Sequence, residues 1–137
     1  MGSLLAQLPG RARFAWLGIS LAQLFCFGDV AAADLLAEGR SLYENKCGGC
    51  HSVEADRIGP RHRGVVGRRV ASVPGYDYSP ALKQLGGVWT PTRLDLWLSD
   101  TQKMAPRSRM YLALDDADQR RQIIAYLQSV SRPGSSP

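Results

Sequence analysis

Two thiols and an imidazole stand within five consecutive residues, Cys47-Gly48-Gly49-Cys50-His51. Thiols with this spacing can add across the two vinyl groups on one edge of a porphyrin, while the adjoining imidazole turns beneath the ring to bind its iron. C-x-x-C-H is the pattern for covalent haem attachment. The same cysteines admit a thioredoxin-like redox pair, half of a zinc site or a plain disulfide. A redox pair of that type sits among strand–helix units, and zinc needs further Cys or His ligands at suitable spacing. Neither context surrounds this motif, so covalent haem is expected.

Iron held by one imidazole leaves a second axial position to fill. Past the N-terminal region the soft or imidazole donors are Met104, Met110 and His62. Met110 follows Pro106-Arg107-Ser108-Arg109, a stretch without a helical stripe, where a thioether can close over the open face. Met104 lies nearer a helix end, and core packing is the commoner fate of a methionine. His62 comes only eleven residues after His51, and the intervening turn is expected to keep it on the wrong side. On spacing alone Met110, Met104, His62 and an open site all remain.

The third cysteine, Cys26, belongs to an apolar run from Phe14 to Phe27 that follows Arg11 and Arg13 and is followed by Val30-Ala31-Ala32-Ala33. A basic start, a short apolar middle and a small-residue end are the parts of a secretory signal. The run is short for a membrane span, which takes about 20 apolar residues. A buried helix or a retained anchor are the rival readings. Residues 1–33 are therefore expected to leave by cleavage after Ala32 or Ala33, taking Cys26 with them. Phe25 precedes Cys26 where a lipidation signal has a small residue. The exported remainder keeps two cysteines, both in the one motif.

The elements that must position this motif are mostly helical. Leu35, Leu36, Leu42 and Tyr43, with Gly39 between them, fall on one face at helical spacing, and Asp34 can cap the start. Gly59, Pro60, Gly64, Gly67, Pro74 and Gly75 then break any periodic pattern and mark an ordered loop. Ser79-Pro80 and Thr90-Pro91 each read as an N-cap followed by proline at the first helical position. They open a short helix to Leu85 and a second one bearing Leu94, Trp97 and Leu98. Asp115 can cap a last helix with Ile123, Ile124, Leu127 and Val130 as its stripe. Residues 131–137 read as a flexible tail. No alternating stretch argues for a sheet.

The chain has 137 residues, 45% of them hydrophobic, enough for one domain, here 34–130. Three or four short helices with long loops bury little by themselves, and a large apolar ligand would supply the missing interior. From Asp34 onward fifteen Lys and Arg face eleven Asp and Glu, a formal +4. Arg57, Arg61, Arg63, Arg68 and Arg69 give one loop region a positive field suited to acidic partners, or merely a solvated basic surface. An exported chain without a nucleic-acid-binding motif is not expected to bind nucleic acid.

From Gly39 to about Leu127 the sequence resembles the class I c-type cytochromes, in particular the small bacterial soluble ones related to mitochondrial cytochrome c. Gly39 and Tyr43 match the glycine and aromatic residue of that family's first helix, and Ile123 to Leu127 its last helix, on which they pack. Gly59-Pro60 matches the element whose proline carbonyl bonds the iron-ligating imidazole, which fixes the ring and its basicity. Gly67-Arg68, Gly75-Tyr76-Asp77-Tyr78 and Trp89 resemble the elements that hold the haem propionates, which implies that role for Arg68, Tyr78 and Trp89. Pro106 to Met110 matches the ligand loop, favouring Met110 over Met104 and implying a propionate contact for Ser108. Arg107 departs from the loop glycine, His62 from a leucine and Trp97 from a tyrosine.

The resemblance implies an all-α cytochrome c fold around one covalently bound haem c, with His51 and Met110 as axial ligands. With both axial positions filled, the implied role is a soluble, monomeric, periplasmic one-electron carrier and not an enzyme. Its partners would be redox proteins with acidic docking surfaces: a quinol-oxidising cytochrome complex, and a terminal oxidase, photosynthetic centre or dehydrogenase. Lys46 and Arg109 would ring the exposed haem edge. The alternatives are a haem enzyme or gas sensor with a labile sixth ligand, and a dedicated haem subunit of a redox complex.

Overall fold

The computed structural model of the chain describes residues 26–134, so most of the expected leader and the last three residues lie outside the description. Among the described residues five helices follow one another: α1 (Cys26–Lys46), α2 (Pro80–Leu85), α3 (Pro91–Ser99), α4 (Thr101–Met104) and α5 (Ala117–Ser129). Among the described residues there is no strand, only a single antiparallel bridge between Arg69 and Val88. None of the helices described is long and apolar enough to cross a membrane.

Helix α1 and helix α5 form the frame, and a glycine sets how closely they approach. A Cβ on Gly39 would stand 2.1 Å from the Gln122 carbonyl oxygen, so the backbones cross in near contact. One turn on, the Tyr43 ring meets Tyr126 with centroids 5.2 Å apart. The buried stripe of α1 is thus Gly39 and Tyr43, continued at the same spacing by Cys47 just past the helix end. Leu36 was expected on that face, but it is exposed. On α5 the stripe Ile123, Ile124 and Leu127 is buried as expected, with Val130 just beyond the helix end.

The proline-led starts hold. Ser79 accepts the Leu82 amide at 3.3 Å and Thr90 the Arg93 amide at 3.1 Å, each with proline at the first helical position. Two expected caps are displaced. Asp34 lies inside α1, because the alanine-rich run before it has high helix propensity and carries the helix back to Cys26. Asp116, not Asp115, caps α5, accepting the Asp118 and Gln119 amides. The sequence pattern did not show α4, a single turn capped by Asp100 through the Gln102 and Lys103 amides.

Candidate functional site

Helix α1 ends on the motif and turns it inward. Cys47 and Gly48 both donate to the Tyr43 carbonyl, then Cys50 and His51 donate to the Cys47 carbonyl at 3.0 and 2.9 Å. This tight turn needs Gly48, where a Cβ would lie 2.4 Å from the Glu44 oxygen. It leaves Cys47 buried and Cys50 exposed, neither of them in a disulfide, with His51 buried between helix and loop. Burial pushes the Cys47 thiol up to about 11.

The loop after the motif closes on itself. His62 donates its amide to the Ser52 carbonyl and Arg63 to that of Val53, while Gly59 donates to the Cys50 carbonyl at 2.8 Å. Gly59-Pro60 is thereby pressed against the imidazole: a Cβ on Gly59 would stand 2.1 Å from His51 Cε1 and 2.5 Å from each ring nitrogen. His51 Nδ1 lies 2.8 Å from the Pro60 carbonyl oxygen. A carbonyl only accepts, so Nδ1 carries the proton and Nε2 presents its lone pair. Burial lowers the His51 pKa, partly offset by the Pro60 bond, which favours the neutral form that can bind a metal.

His51 faces a cavity of about 320 Å³ between the helices. Cys47, Cys50, Pro60, Arg68, Tyr78, Trp89, Ser108 and Met110 all line it, with Leu94, Trp97, Leu98, Ile123 and Leu127 as apolar walls. These sequence-derived residues therefore share one cavity with His51. Met104 packs against the core from α4 and is not among the lining residues. His62 does line the cavity, but on the His51 side: the two rings stack with centroids 4.1 Å apart and planes 19° from parallel. Its Nδ1 lies 3.2 Å from the Tyr43 hydroxyl. Burial, then His51 and Arg68, holds His62 well below the ordinary histidine range.

Arg68 turns inward and donates to the Arg63 and Arg61 carbonyls at 3.0 and 2.9 Å. The Tyr78 hydroxyl accepts the Val73 amide. The positive loop is less bare than its sequence. Arg61 pairs with Asp56 at 3.0 Å, and Arg63 with Glu54, acids that lie just before the arginine cluster. At the cavity mouth, Arg109 pairs with Asp77 at 2.9 Å beside exposed Lys46, Ile58 and Tyr111.

Three polar side chains hold the Met110 segment. Thr101 Oγ1 and Gln102 Nε2 each lie 2.7 Å from the Met110 carbonyl oxygen, and Ser108 Oγ lies 3.2 Å from it. Ser108 is 1% exposed, so its hydroxyl sits in this cluster at the cavity wall. Thr101 and Gln102 escaped the sequence reading because a polar side chain folding onto backbone eight or nine residues away leaves no local pattern.

The residues fit a haem. The donor set, with Nε2 of a neutral imidazole and two thiols on one turn, is of the right chemistry, and the apolar cavity beside it has the size range of small-ligand sites. Among the described residues no three of Cys, His, Asp or Glu gather to hold a metal ion, so the zinc reading finds no other ligands there.

The family model for cytochrome c matches residues 36–131. The chain is 36% identical over 96 residues to cytochrome c-type cyt cy of Rhodobacter capsulatus, covering 69% of this chain and 48% of that protein, so it spans about half of that relative's length. It is 38% identical over 96 residues to cytochrome c2 of Rhodopila globiformis, covering 68% of this chain and 91% of that one. Among solved structures it is similar to cytochrome cH from Methylobacterium extorquens, with TM-score 0.65 and 35% identity over 68% of this chain and 96% of that chain. A C-x-x-C-H turn on an apolar cavity, an all-α frame and a family match over most of the described residues have one conclusion: the chain belongs to the cytochrome c family of electron carriers, with the cytochrome c fold and one covalently attached haem c.

Proposed function

We propose that the chain is a periplasmic monohaem one-electron carrier, exported with loss of residues 1–33 by cleavage after Ala32 or Ala33 and working as a monomer. Haem c is joined through Cys47 and Cys50, with His51 and Met110 as axial ligands and Pro60, Arg68, Tyr78, Trp89 and Ser108 as its surroundings. One observation carries the reading: His51, with Nδ1 fixed on the Pro60 carbonyl and Nε2 free, shares a cavity with Met110 and not with Met104. Bound there, haem supplies Fe(II)/Fe(III) exchange, and methionine ligation favours the ferrous state.

The protein's part is to exclude water and to keep both ligands in place. Trp89, Leu94, Trp97 and Leu98 wall the site, all 7% exposed or less. The Pro60 bond fixes one ligand ring, and the Thr101, Gln102 and Ser108 cluster fixes the backbone of the other. At the mouth, Ile58 and Tyr111 are 78% and 77% exposed next to Lys46 and Arg109. An apolar centre with cationic flanks suits brief docking to acidic redox partners such as a quinol-oxidising cytochrome complex and a terminal oxidase, photosynthetic centre or dehydrogenase. Their association rate falls as salt rises.

A haem enzyme or gas sensor needs a sixth position that opens, and one observation favours that reading: Arg107 in the ligand loop has φ of +66°, a strained backbone for a residue with a side chain. Carbon monoxide added to the dithionite-reduced holoprotein separates the two. The carrier leaves the ferrous spectrum unchanged at millimolar ligand. Complete conversion to the carbonyl form within seconds would make the iron open and the protein an enzyme or sensor.

A further inference from the structure

We propose that Gln102 is a positioning residue for the sixth ligand: its side-chain amide clasps the Met110 loop at both ends and sets how firmly that loop stays closed. The inference rests on Met110 as ligand. It arises from the one place in the loop where local conformational preference opposes the closed shape.

Arg107 occupies the left-handed region at φ +66°, where an L side chain is disfavoured and glycine is not. Nothing on Arg107's own side chain accounts for that conformation. The support comes from its amide, which donates to Gln102 Oε1 at 2.9 Å. The other end of the same amide, Nε2, lies 3.1 Å from the Ser108 carbonyl, 3.0 Å from Ser108 Oγ and 2.7 Å from the Met110 carbonyl. One planar group thus spans the loop from the strained residue to the ligand residue. Gln102 is placed for this by the Asp100 cap, whose carboxylate accepts the Gln102 amide at 2.9 Å and holds α4 in register.

Thr101 also reaches the Met110 and Leu112 carbonyls, but it is wholly buried and its amide is tied to the Leu112 carbonyl, so it anchors the base of the loop. Among the described residues, Gln102 alone joins Arg107 to Met110. Moving the 107–110 backbone would draw Met110 out of the cavity, and each hydrogen bond from Gln102 opposes that motion. An exogenous ligand binds the opened form, so its apparent affinity reports the fraction open.

The test is imidazole binding to the ferric holoprotein, read with the near-infrared band of methionine-ligated iron. Gln102→Ala keeps that band without imidazole, yet binds imidazole about tenfold more tightly than the parent, the factor expected for losing one or two hydrogen bonds. Gln102→Glu, which retains an acceptor for the Arg107 amide but sets a carboxylate against two carbonyls, loosens the loop at least as much. Adding Arg107→Gly to Gln102→Ala recovers about threefold, because glycine relieves the left-handed strain that the clasp otherwise holds. General destabilisation would not be reversed by a loop glycine. Wild-type imidazole affinity in both Gln102 variants, with the band intact, overturns the clasp and leaves the ligand assignment standing. A parent protein with no such band overturns the ligand assignment and the clasp together.

Discussion

Replacing Gly59 by alanine is expected to cost about 3–4 kcal/mol, a fall in Tm of roughly 15–20 °C, and to deplete covalently loaded protein. The added methyl would occupy the His51 ring position, with Cε1 at 2.1 Å and both nitrogens at 2.5 Å. No positive φ is involved, so the entire effect is one of space. Two escapes exist, and each breaks something. If the imidazole swings away, it loses the Pro60 carbonyl at 2.8 Å and, with it, the tautomer that leaves Nε2 for iron. If the loop withdraws, the Gly59 amide loses the Cys50 carbonyl and the turn that carries the motif loosens. Overpacking costs about 1–3 kcal/mol, and a lost buried hydrogen bond adds about 1–2. Thermal melting and the ratio of haem absorbance to protein measure it. Pro60→Ala is the control, since it keeps the accepting carbonyl and is expected to alter the haem spectrum little.

The second large effect is expected at Gly39→Ala, where two terms of opposite sign compete. Alanine inside a helix gains about 1 kcal/mol over glycine in intrinsic propensity. Here the new Cβ would lie 2.1 Å from the Gln122 oxygen, 2.9 Å from its carbonyl carbon and 3.1 Å from Tyr126 Cβ. The nearest two are backbone atoms, which move only if α5 moves. Separating α1 from α5 also spoils the packing of Tyr43 on Tyr126 and of Ile123, the most buried core side chain at 0% exposure. The steric term wins, for a net loss of about 2–3 kcal/mol and a fall in Tm of roughly 10–15 °C. Gly49→Ala meets nothing within 4 Å and is expected to melt close to the parent. A Gly39→Ala protein as stable as the parent would mean that the two helices do not cross at this residue.

What the chain makes legible in one dimension is what local chemistry decides. Ser79-Pro80 and Thr90-Pro91 announce helix starts because cap and proline act on neighbouring amides, and the α5 stripe follows from its period. Cys47, Cys50 and His51 declare their chemistry through spacing alone, and Gly59-Pro60 became interpretable through the family pattern. The misses share a different cause. Asp34 and Asp115 have the right chemistry for caps, but a helix start is set by which residue first leaves helical geometry, and the alanine-rich run before Asp34 stays helical. Leu36 matched the period yet faces outward, since Gly39 fixes which face of α1 meets α5. The cationic field of the arginine loop is weaker than its sequence suggests, because Asp56 and Glu54 fold back onto Arg61 and Arg63. His62 stacking on His51, and the reach of Thr101 and Gln102 to Met110, depend on tertiary closure and have no sequence signature.

The central claim is that iron lies between His51 and Met110. The measurement that tests it most directly is the absorption spectrum of the purified holoprotein, oxidised and reduced, including the weak near-infrared band of methionine-bound ferric iron, repeated on Met110→Ala and Met104→Ala. The parent and Met104→Ala should both show the band, and Met110→Ala should lose it, because Met110, and not Met104, lines the cavity that His51 faces. Loss of the band in Met104→Ala with its survival in Met110→Ala, or a parent spectrum of five-coordinate or bis-histidine iron, would contradict the assignment.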